Sequence, residues 1–107
     1  MNKSVPYQLD KLRNMRFGME AYAMYEENTN EKVTELDLAS LSMKQTSTLA
    51  WAGMVSEDES LTIKGVQKLV DEYSNIAECT QKIMEAVVLS FPKVEAGKKE
   101  AKNANRA

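Results

Sequence analysis

A chain of 107 residues with 43% hydrophobic content has the size and composition of one globular domain. It contains no histidine and one cysteine, Cys79, which excludes Cys/His zinc sites, histidine-dependent triads and an internal disulfide. The formal charge of −2 hides a division: from Lys93 onward five basic residues stand against two acidic ones, a net +3, and residues 1–92 carry nine against fourteen, a net −5.

An acidic body repels polyphosphate, so nucleic acid is an unfavoured partner. Residues Met1 to Asp10 hold no apolar signal-peptide core. The longest apolar runs fall far short of the roughly 20 residues that cross a bilayer. The expectation is a soluble cytosolic protein with no membrane span.

Residues 1–14 are expected to be a flexible or irregular N-terminal segment. Pro6 holds Val5 extended, while Tyr7, Leu9, Leu12, Met15 and Phe17 fit neither the strand nor the helix period. Met15-Arg16-Phe17 alternates like a short strand.

A helical domain is expected over 15–92. From Gly18 the chain is rich in helix formers, and Phe17, Ala21, Met24, Tyr25 and Asn28 share one face. Asn28-Thr29-Asn30 ends this helix, because short polar side chains compete for the backbone. Val33 to Leu41 is a connector that buries leucines intermittently. Ser42 is the expected N-cap of the next helix, with Gln45 as its capping-box partner.

That central helix runs from Met43 to Val55. Met43, Thr46, Ala50, Gly53 and Met54 form its stripe, widened by Leu49, Trp51 and Ala52. Ala50, Ala52 and Gly53 are small and permit close approach of another helix. A mid-helix glycine costs about 1 kcal/mol against alanine, so Gly53 points to such an approach.

Glu57-Asp58-Glu59 lacks the alternating spacing and glycine of a calcium loop. It reads as a solvated turn ahead of a helix N-terminus. Thr62 caps that helix, which runs through Val66, Leu69, Val70 and Tyr73. Ser74 or Asn75 interrupts, and the last helix spans Ile76 to Phe91 with Ile76, Cys79 or Thr80, Ile83, Met84, Val87, Val88 and Phe91 on a broad apolar face. Cys79 in that stripe reads as a small buried filler. Pro92 stops the helix, and residues 93–107 are expected to be a flexible basic tail. The fold class is mainly all-α: a small bundle of about four helices behind a short extended or irregular N-terminal segment.

No carboxylate pair sits in an apolar setting, and Lys64-Gly65 lacks the earlier glycine of a P-loop. The chain is therefore expected to be no enzyme and to use no cofactor or metal.

Phe17, Tyr22 and Tyr25-Glu26-Glu27-Asn28-Thr29-Asn30, an acidic-apolar connector, Leu49-Ala50-Trp51-Ala52-Gly53-Met54, an acidic gap, and Leu61-Thr62 with Val66 and Leu69-Val70-Asp71 form one layout. It resembles the tail assembly chaperones of long-tailed bacteriophages that infect Gram-positive bacteria, over about residues 15–91. Met54 stands where leucine is usual in that family, and Asn30 where glycine is common.

The resemblance implies a protein that coats the long helical tape measure protein before the tail tube polymerises around it. It also implies self-association, residence in the host cytoplasm and absence from the mature virion. The expected partner-binding residues are Ala50, Trp51, Gly53 and Met54. Methionines 19, 24, 43, 54 and 84 add adaptable apolar surface. Two other classes remain: a helix-turn-helix DNA-binding regulator over residues 43–73, which lacks a basic recognition helix, and a structural head–tail connector, which purified particles would contain.

Overall fold

The computed structural model describes residues 3–91. Its first element is a hairpin made by alternation: Val5, Tyr7 and Leu9 point inward and are buried, and the residues between them are exposed. Strand β1 (Val5–Gln8) pairs antiparallel with β2 (Leu12–Met15), Val5 opposite Met15 and Tyr7 opposite Arg13. This corrects the reading of residues 1–14 as flexible or irregular, although Val5 is extended as Pro6 requires. The hairpin is part of the core. Tyr7 and Met15 are fully buried, and Tyr7 Oη donates a 2.8 Å hydrogen bond to Ser74 Oγ at the opposite end of the chain.

Four helices follow among the described residues: α1 (Met19–Thr29), α2 (Met43–Met54), α3 (Ile63–Tyr73) and α4 (Ile76–Ser90), with a 3₁₀ turn at Val33–Glu35. The fold is mostly helical with a short two-stranded sheet at its N-terminus. The caps expected at Ser42 and Thr62 are in place, and Asn75 adds a third. Ser42 and Gln45 form a reciprocal capping box at α2, the Thr62 hydroxyl accepts from Gly65 N, and the Asn75 side chain accepts from Glu78 N at the start of α4. Asn30 closes α1 at φ 60°, the left-handed conformation that favours glycine and tolerates asparagine.

Helix α2 is the hub. It packs against α1, α3, α4 and β2, and Leu49, Ala50, Ala52, Gly53 and Met54 are all buried along it. Burying a leucine such as Leu49 completely contributes about 1.5–3 kcal/mol. The connector covers the core's edge with Val33, Leu36, Leu38 and Leu41, each half-buried. On α4, Cys79, Ile83, Ala86 and Val87 face inward, whereas Ile76, Met84, Val88 and Phe91 stay substantially exposed. The apolar arc of α4 is thus wider than the surface it covers. The basic tail expected over 93–107 lies outside the described residues.

Candidate apolar groove

Backbone sterics around Gly53 position the site. A Cβ at residue 53 would stand 2.8 Å from Met15 Cγ and 2.9 Å from Phe17 Cζ, so only glycine lets β2 and Phe17 lie this close to α2. Arg16 N donates to Gly53 O at 2.8 Å, stitching the strand to the helix. The chain then turns at Gly18, where a Cβ would meet nothing, and α1 begins at Met19 beside α2. Gly53 receives the hairpin and Phe17, not a partner helix.

Two further ties fix the walls. Trp51 Nε1 donates to Leu61 O at 3.0 Å, which holds the indole edge against the loop before α3. Arg13, almost fully buried, binds Asp10 through Nε and Nη2 at 2.9 and 3.0 Å and reaches Asp58 with Nη1 at 3.2 Å. Arg13 and the Ser60 hydrogen bonds hold the Asp58 carboxyl at about 2, far below its ordinary range, with Ser60 the larger cause. The acidic loop is therefore more than a solvated turn: Asp58 anchors the hairpin, and Asn14 Nδ2 reaches Glu57 Oε2 at 3.5 Å.

Between these walls lies a groove of about 640 Å³. Met19, Ala21 and Met24 of α1 form one side, Trp51, Ala52 and Val55 the floor, and Leu61 the far lip. Arg16, Glu20, Ser56 and Glu59 line its polar margin. Met19 is 90% exposed. A methionine left so open at a groove mouth offers an unbranched, polarisable side chain that adapts to different apolar shapes.

A smaller hollow of about 260 Å³ lies between α2, α3 and α4, with Ala50, Val66, Val70 and Cys79 among its lining. Thr46 Oγ1, which lines it, is buried and has no hydrogen-bond partner among the described residues. The Cys79 thiol is pushed up by burial, which disfavours the reactive thiolate. Among the described residues no group of three or more Cys, Asp or Glu side chains is arranged to hold a metal ion, and no helix is long and apolar enough to cross a membrane.

The structure divides the four residues expected to bind a partner. Ala50, Gly53 and Met54 are buried and pack the fold, because their stripe faces the hairpin and the neighbouring helices. Trp51 alone reaches the groove. Of the five methionines expected to supply adaptable surface, Met19, Met43 and Met84 are exposed, Met24 is half-buried and Met54 is buried. Arg16, Glu20, Val55, Glu59 and Leu61 carried no sign of a shared groove in the sequence, since no local pattern says which loop residue meets α1. The connection from α2 to α3 runs over residues 55–62, longer than the roughly 3–4-residue turn of a helix-turn-helix. No family model, curated protein or solved structure matches the chain.

Proposed function

We propose that this protein is a tail assembly chaperone of a long-tailed bacteriophage, a non-enzymatic binder that keeps the tape measure protein soluble during tail morphogenesis. The observation that carries the reading is the open apolar groove with Met19 exposed at its mouth and Trp51 on its floor. Such a groove accepts the apolar face of an amphipathic helix, read as anchors at i, i+3, i+4 and i+7. The layout that resembles that chaperone family points to the partner: a long protein whose apolar helices need cover before the tube encloses them. The exposed apolar arc of α4, including Met84, Val88 and Phe91, supports self-association along such a partner. In this account the chain acts in the host cytoplasm, uses no cofactor and leaves before the virion matures.

Co-expression with the tape measure gene of the same phage tests the proposal. The expected result is a several-fold rise in soluble tape measure protein that co-purifies with the full chain, and purified particles that lack it. No rise in soluble partner would contradict the chaperone reading. Stoichiometric recovery of the chain from purified particles would favour a head–tail connector instead.

A further inference from the structure

The groove has a charge pattern as well as an apolar floor. Glu20 and Glu59 stand on its margin, both exposed, and neither makes a hydrogen bond or an ion pair among the described residues. Other carboxylates nearby are engaged: Asp58 with Arg13 and Ser60, Asp10 with Arg13. Helix α1 contains Glu20, Glu26 and Glu27 and no basic residue. Glu20, Met24 and Glu27 follow at i, i+4 and i+7, one edge of the helix. That edge runs along the groove at Glu20 and Met24. Among the described residues, the one basic side chain at the margin is Arg16, before the start of α1.

An apolar helix laid in this groove brings its flanking positions against Glu20 on one side and Glu59 on the other. Carboxylates that meet lysine or arginine there gain attraction. Glutamate or aspartate in the same places meets like charge next to a low-dielectric floor, which is costly. Resting on the chaperone reading, we infer that the groove selects an amphipathic helix whose apolar stripe is flanked by lysine or arginine. The acidic margin rejects apolar helices with acidic flanks, including the acidic α1 of a second copy. Selection of this kind decides which of many apolar segments the groove covers, a task that apolar burial alone performs poorly.

Trp51 is the only tryptophan and lies on the floor, so its emission reports occupancy directly. The experiment titrates the full chain with two synthetic helical peptides that share one Leu/Ala stripe, one flanked by lysine and the other by glutamate. The lysine peptide is expected to shift Trp51 emission to the blue and to bind about tenfold more tightly at low salt. The gap narrows at high salt, because these charges are exposed and screened. The double variant Glu20→Lys, Glu59→Lys alters two exposed, unpartnered side chains and is expected to reverse the preference, with its circular dichroism unchanged.

Equal affinity of wild type for both peptides at low salt would overturn the charge selection and leave the apolar groove standing. Failure of both peptides to move Trp51 emission would overturn the groove reading with it. Sedimentation of the free chain identifies the remaining occupant: a dimer abolished by Met19→Glu would place a second copy in the groove and overturn the inference.

Discussion

Gly53 and Phe17 are in such close contact that a methyl group on Gly53 would lie 2.9 Å from the Phe17 ring tip and 3.3 Å from its neighbouring carbon. Both residues are buried and Met15 closes the third side, so nothing there yields without disturbing the core. Alanine is favoured over glycine mid-helix by about 1 kcal/mol, while overpacking a close contact costs about 1–3 kcal/mol. Sterics win. Gly53→Ala is expected to destabilise by about 1–2 kcal/mol, read as a lower urea midpoint with an unchanged slope. A midpoint equal to or above wild type would mean that the strand moves aside freely.

Arg13 ties three segments together and is the only buried cation among the described residues. Arg13→Met keeps much of the packing and removes the hydrogen bonds to Asp10 and Asp58. The expected loss is about 1–3 kcal/mol, with the hairpin amides losing hydrogen-exchange protection first. Uniform loss of protection across α2 and the hairpin would assign Arg13 no local role.

Asp58, held by Ser60 and Arg13, contributes to acid sensitivity. Asp58 has a folded pKa of about 2, depressed below its unfolded value of about 4. Its contribution is therefore fully present above pH about 4 and is lost as pH falls towards 2. Asp58→Asn is expected to flatten the stability profile across that window. An unchanged slope between wild type and variant would remove Asp58 from the acid response.

Alkali acts through the tyrosines. Burial pushes Tyr7 and Tyr25 up to about 12, against about 10 in the unfolded chain. A raised pKa gives stability that is complete below pH about 10 and falls as pH rises towards 12. Ionisation of Tyr7 and Tyr25 is expected to accompany loss of helix signal. Their ionisation in a chain that remains folded would contradict their burial.

Cys79 is 2% exposed, next to the hydrogen-bonded Tyr7 and Ser74. A thiol reagent is expected to modify it slowly in buffer and rapidly in denaturant. Equal rates would place the sulfur at the surface.

The helices were legible because their ends carry local chemistry. Ser42 with Gln45, Thr62 and Asn75 each satisfy backbone donors within three residues, so the signal and its effect lie in the same short window. The hairpin was hidden by its side-chain choices. Leu12, apolar, points outward at 60% exposure, while Arg13, charged, points inward, and the alternation reads as broken. The inward arginine is tolerated only because Asp10 and Asp58 meet it, and Asp58 lies far along the chain. Gly53 signalled a close approach, but its neighbour was a strand and a phenylalanine in place of a partner helix. The groove was only half legible: Met19, Met24 and Trp51 stand out by type, whereas Leu61 and Glu59 join them through the loop's path.

The proposed cover of apolar tape measure helices by the groove at Met19 and Trp51 is open to one direct measurement. Met19→Glu tests it most directly, because a side chain that is 90% exposed contributes little to folding and a charge at the mouth blocks an apolar ligand. Soluble tape measure protein, measured after co-expression with wild type or Met19→Glu, is the readout, with circular dichroism confirming that the variant folds. The variant is expected to fold normally and to lose most of the soluble yield. A folded variant that solubilises the partner as well as wild type would contradict it.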